Sequence, residues 1–123
     1  MIKLSLAQPD HRFHLPLAGT YRLYLTGGFS VRGLEHFGIQ LTQSDATKVI
    51  LAEPLAFKQR ARINGKRAVA CYQIQFPESG DYQLSFRNAE KLSMKRSMLL
   101  GLNFLFPKKT TYDQVEAILE LKR

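Results

Sequence analysis

The residues best suited to chemistry are three histidines, one cysteine, a few acids and one dense run of cations. His11 and His14 are three apart, so on a strand they point to opposite faces, and His36 is remote from both. A metal needs ligands that converge on one point, and no Cys-x-x-Cys or second ligand cluster supplies them. Neither a metal nor any other cofactor is expected. Cys71 is the single cysteine and cannot form an internal disulfide. No motif sets a histidine beside it as a base, and there is no Gly-x-Ser-x-Gly elbow. Glu35, Asp45, Glu53, Glu78 and Asp81 fall in expected loops or turns, where carboxylates serve backbone hydrogen bonding rather than a glycosidase pair. No glycine-rich phosphate loop with a lysine occurs. Residues 27–33 read as a long inter-strand loop open to ligand contact. The chain is therefore expected to be non-enzymatic.

The cations carry the candidate site. Lys58, Arg60, Arg62, Lys66 and Arg67 lie within eleven residues, and no acid follows until Glu78. Between them, Asn64-Gly65 fills both central positions of a type I′ turn, because both residue types tolerate positive φ. That turn sets a register: Ile63 opposite Lys66, Arg62 opposite Arg67, Ala61 opposite Ala68 and Phe57 opposite Tyr72. One face then carries Phe57, Ala61, Ile63, Ala68, Ala70, Tyr72, Ile74 and Phe76. The other carries Lys58, Arg60, Arg62, Arg67, Val69, Cys71, Gln73 and Gln75. A β-ribbon bearing arginine can meet the phosphates of a nucleic acid or an acidic protein face. The same cations also suit a solvated strand edge that must avoid pairing with other chains. Lys91, Lys95, Arg96, Lys108 and Lys109 are more scattered and read as surface charge.

The elements that must position this ribbon are strands. Apolar residues alternate with period two in 20–25, 72–76 and 82–86, and further runs suit strands at 2–6, 11–15, 37–42, 48–52, 57–63, 66–71 and 99–106. Residues 112–123 fit either period, and the β context favours a final strand. A helical turn suits 88–97. Both faces of 98–106 are apolar enough for a central strand or for burial against another subunit. Tyr24 and Val69 are expected to point outward.

Composition agrees. With 123 residues, 45% apolar, the chain can hold one core without disulfides, and 18 Lys plus Arg against 10 Asp plus Glu leave a charge of +8. No apolar run approaches a membrane span, and the N-terminal apolar stretch is too short for a signal peptide. The cytoplasm is the expected compartment, with a mature exported domain as the alternative.

Two segments echo each other. Phe13-x-Leu15-Pro16-x-x-Gly19-x-Tyr21-x-Leu23 matches Ile74-x-Phe76-Pro77-x-x-Gly80-x-Tyr82-x-Leu84 at a shift of 61 residues. Proline ends a strand, glycine turns the corner, and tyrosine opens the next strand with a hydroxyl able to tie the corner to nearby backbone. The second segment resembles the Gly-x-Tyr corner of immunoglobulin-like domains and is similar to GOLD-type sandwiches. Ala18-Gly19-Thr20-Tyr21-Arg22-Leu23 resembles the corner of jelly-roll carbohydrate-binding modules. Each likeness spans about ten residues and implies a two-sheet sandwich and no site residue. The expectation is one antiparallel β-sandwich over 1–123, jelly-roll or immunoglobulin-like, of about eight to ten strands with a pseudo-repeat. Its function would be an interaction module working through Lys58, Arg60, Arg62, Lys66 and Arg67. The expected partner is a protein or a second copy of the chain, with nucleic acid and carbohydrate as alternatives.

Overall fold

Proline and glycine divide the chain as the echo requires. Pro16 and Pro77 follow the last residues of two strands, and Gly19 (φ 143°) and Gly80 (φ 138°) open the next two in a region that disfavours side chains. The computed structural model describes residues 2–27, 30–43, 49–95, 109–111 and 115–122. In chain order its strands are β1 (Ile2–Ser5), β2 (Asp10–Leu15), β3 (Gly19–Thr26), β4 (Ser30–Arg32), β5 (Gly38–Gln43), β6 (Val49–Ile50), β7 (Ala52–Ile63), β8 (Lys66–Phe76), β9 (Gly80–Arg87), β10 (Ser93–Lys95), β11 (Lys109–Thr111) and β12 (Glu116–Leu121).

One sheet has the order β1-β12-β3-β8-β7 and the other β2-β9-β5-β6, all antiparallel. The two pack face to face as an all-β sandwich. The first three strands alternate between the sheets, as do β8 and β9, and the terminal strands β1 and β12 are neighbours. That is jelly-roll wiring, with β7 added at one edge. A small third sheet has the order β11-β10-β4.

Twelve strands are assigned among the described residues, more than the eight to ten expected, because two- and three-residue pairings leave no alternation to read. Residues 30–32, expected in a loop, form β4 by pairing with β10, a partner some sixty residues away. A 3₁₀ turn at Ala89–Lys91 falls where a helical turn was expected, and β12 is the final strand. The apolar run 99–106 lies outside the described residues.

The core forms between the two large sheets. Leu23, Leu25, Ile74, Leu41, Leu84 and Leu119 are fully enclosed there. Phe76 bridges the sheets, with ring centroids 4.9 Å from Tyr82 and 6.3 Å from Phe13, and 5.3 Å from Tyr21 on its own sheet. Edge-on aromatic contacts of this kind add about 0.5–1.5 kcal/mol each beyond their burial.

The echo is a local two-fold relation in the pairing itself. Leu15 pairs with Gly80, and the equivalent Phe76 pairs with Gly19. Phe13 pairs with Tyr82 as Ile74 pairs with Tyr21, and His11 with Leu84 as Tyr72 with Leu23. Both tyrosine hydroxyls tie their corners four residues back: Tyr21 donates to the Leu17 carbonyl at 2.8 Å, and Tyr82 to that of Glu78 at 2.5 Å. Tyr21→Phe and Tyr82→Phe should each lower the unfolding free energy by about 1 kcal/mol, measured by urea denaturation. Losses below about 0.3 kcal/mol in both would show that the corners do not need their hydroxyls.

Candidate functional site

Local sequence builds the hairpin tip as expected. Asn64 (φ 51°) and Gly65 (φ 80°) take the positive angles of the turn. Ile63 pairs with Lys66, Arg62 with Arg67, and Ala61 with Ala68. The register then holds only as far as Gln59 opposite Ala70. Pro54, not Phe57, stands opposite Tyr72, so β7 spends several more residues than β8 between these two pairs. On the other side of β8, Leu23 pairs with Tyr72 and Tyr24 with Ala70, which leaves Cys71 as an extra residue between them. Cys71 is the bulge of β8.

The bulge reverses the faces of everything toward the tip. Phe76, Ile74 and Tyr72 face the core between the sheets, and so do Cys71 and Val69 beyond the bulge. Val69 is therefore buried rather than outward-facing. Ala68 and Ile63, expected in the main core, instead form a separate cluster with Ile118 and Tyr24 on the sheet's outer face. Arg60 lies opposite Val69 and Arg62 opposite Arg67, so these three arginines prolong the inner face past the end of the core, while Lys66, opposite Ile63, falls on the outer face. Lys58, Arg60, Arg62 and Lys66 are exposed, and Arg67 is half-buried.

The tip is tied to the rest of the sheet. Gly27 donates its amide to the Arg67 carbonyl at 3.0 Å. The buried Thr26 hydroxyl accepts from the Glu116 amide at 3.1 Å and donates to its carbonyl at 3.3 Å. Lys66 Nζ lies 3.6 Å from the Glu116 carboxylate.

The remaining candidates are placed elsewhere. His11 Nε2 lies 2.7 Å from the Ser5 carbonyl and packs edge-on to Phe86. His14 meets Asp81 at 3.0 Å on the surface, and His36 lies 3.7 Å from Glu35. Among the described residues no three His, Cys, Asp or Glu side chains gather as a metal site would require. Asp45 lies outside the described residues. Glu53 and Asp81 stand on β7 and β9 rather than in loops. Glu53 gains its place on a strand because residues 52–54 pair with β8 on the far side of the irregular stretch.

That pairing creates a cleft of about 720 Å³ at the base of the hairpin, which the sequence reading missed. Gln73, Gln75 and Glu53 line it together with Val49 and Leu51. The alternation of Gln73 and Gln75 was visible in the sequence, but not the wall that β6 and the start of β7 raise beside them. The chain matches no family model, no curated protein and no solved structure. No helix among the described residues is long and apolar enough to cross a membrane.

Burial pushes the Cys71 thiol up to about 12, although the charge of Lys58 pulls the other way. Burial, and secondarily Cys71, also raises Tyr72 to about 12. Burial therefore keeps the thiol protonated near neutral pH, and the protonated form is the poor nucleophile. Both groups hold their protons more tightly folded than unfolded. Their contribution to stability is complete below about pH 9 and is lost as pH rises toward 12. Ellman's reagent at pH 8 should label Cys71 at least about 100-fold more slowly in the native protein than in urea. Comparable rates in both states would contradict the enclosed thiol.

Proposed function

We propose that the chain is a non-enzymatic interaction module that docks an acidic protein surface on the tip of the β7–β8 hairpin. The observation that supports this most is Arg62 directly opposite Arg67. Facing like charges destabilise a ribbon by a few tenths of a kcal/mol up to about 1. Protection of a sheet edge accounts for Lys58, Arg60 and Arg62, because β7 is the edge strand. It does not account for Arg67, which lies between β7 and the Gly27 amide that donates to its carbonyl. A contact surface accounts for Arg67 as well.

Several features fit a docking role. The I′ turn holds the ribbon rigid, which limits the ordering cost of binding. The Gly27 amide, just past the end of β3, fastens that strand to it through the Arg67 carbonyl. A second copy of the same tip would be repelled, so the partner must bring negative charge. Clustered cations would then speed encounter and make affinity fall with salt.

The test is fluorescence anisotropy with a labelled Asp/Glu-rich peptide and with single-stranded and duplex oligonucleotides, from about 50 to 300 mM salt. The peptide should bind in the micromolar range and weaken as salt rises. Replacing Lys58, Arg60 and Arg62 together with glutamate should cost at least about tenfold while the melting temperature holds. Unchanged binding by a folded triple variant would overturn the reading. Tighter binding to duplex than to peptide, with a log–log salt slope of about −0.9 per phosphate, would replace the protein partner with nucleic acid.

A further inference from the structure

The cleft at the base of the hairpin differs chemically from its tip. Gln73 and Gln75 are two apart on β8, so their side chains leave the same outer face about 7 Å from each other. Glu53 stands opposite Gln73 in register and shares that face. Among the described residues no ion pair or side-chain hydrogen bond engages any of the three. Beside them Val49 and Leu51 form an aliphatic wall, 60% and 75% exposed, two of the three large apolar residues left in solvent among the described residues. Among the described residues the lining has one carboxylate and no cation, on a chain whose net charge is +8.

We infer that this cleft binds a neutral, polyhydroxylated ligand: a short stretch of oligosaccharide laid with its C–H face on Val49 and Leu51. Two amides offer donors and acceptors in pairs, and a carboxylate adds two acceptors. Adjacent ring hydroxyls, each both donor and acceptor, match that set. Other ligand classes fit less well. Anions meet Glu53. Amines meet the positive field of the whole chain. A purely apolar ligand would strip water from two amides without replacing its hydrogen bonds, at about 1–3 kcal/mol per group. The volume falls within the range of small-molecule sites, roughly 300–1,000 Å³.

The site is single. The 61-residue relation maps Gln73 onto Arg12 and Gln75 onto His14, which pairs with Asp81. The second corner therefore lacks the free amides, and one ligand per chain is expected.

The experiment is a ¹⁵N-NMR titration read at the side-chain amides of Gln73 and Gln75. The probes are cellotetraose, xylotetraose, maltotetraose and chitotetraose, each taken to about 10 mM. At least one should give saturable shifts at both amides and at residues 49–53, unchanged between about 50 and 300 mM salt. Gln73→Ala with Gln75→Ala should then weaken binding at least tenfold. Leu51→Ser, which touches only the exposed wall, should weaken it several-fold and serves if the double variant misfolds. No saturable shift from any of the four sugars would overturn the inference. So would equal or larger shifts at these amides from butylamine or glucuronate. The hairpin reading is untouched by either failure, because its readout is salt-dependent polyanion binding at the other end of β7 and β8.

Discussion

One extra residue in β8 decides which way the cations face. Strand geometry puts alternate side chains on opposite sides, so if Cys71 took an ordinary place in the alternation the ribbon would send Arg60, Arg62 and Arg67 to the outer face. With it, Tyr72 and Val69 both face the core, and the outer face takes Ala70 and Ala68. The small residues matter here. Beyond the bulge the outer face meets Tyr24 and Ile118, and alanines let those side chains lie close over the sheet. Cys71 suits the bulge because it is small, apolar when protonated and enclosed, which burial enforces by holding the thiol neutral.

The bulge also marks where the internal symmetry stops. The pairing of β2 with β9 repeats that of β8 with β3 residue for residue, from the corners out to His11 and Tyr72. One step further, Cys71 corresponds to Asp10, where β2 begins. From that point β8 runs on alone into the hairpin. The symmetric half of the molecule, braced by two tyrosine corners and the Phe76–Tyr82 contact, is scaffold. The hairpin that carries the cations is what the chain adds to it.

Much of this was legible before any coordinates. The Asn-Gly turn, the register near it, the two corners and the strand faces of 20–25, 72–76 and 82–86 all follow from short-range rules, because turn chemistry and alternation act within a few residues. What could not be read depends on partners distant in sequence. β4 exists because β10 pairs with it. The bulge at Cys71 exists because β3 and β7 impose registers on β8 that do not agree with uninterrupted alternation. Five cations were identified by type and spacing, but their face was assigned by continuing a period through a residue that breaks it. The cleft was missed for a related reason: Gln73 and Gln75 are ordinary outward residues until β6 and residues 51–53 fold beside them.

The two ends of β7 and β8 are thus chemically opposed. From Arg67 to Gln73 is six residues, about 20 Å of strand. At ionic strengths near 0.15 M the Debye length is about 8 Å, so exposed charges at the tip are largely screened from a ligand at the base. The hairpin can therefore hold facing arginines at one end without biasing a neutral ligand in the cleft at the other. The bulge lies between them and separates the two groups by face as well as by end: Arg60, Arg62 and Arg67 continue the inner face, and the glutamines remain on the outer one. A partner on the tip and a ligand in the cleft would approach the sheet from opposite sides, so occupancy of one site leaves the other sterically open.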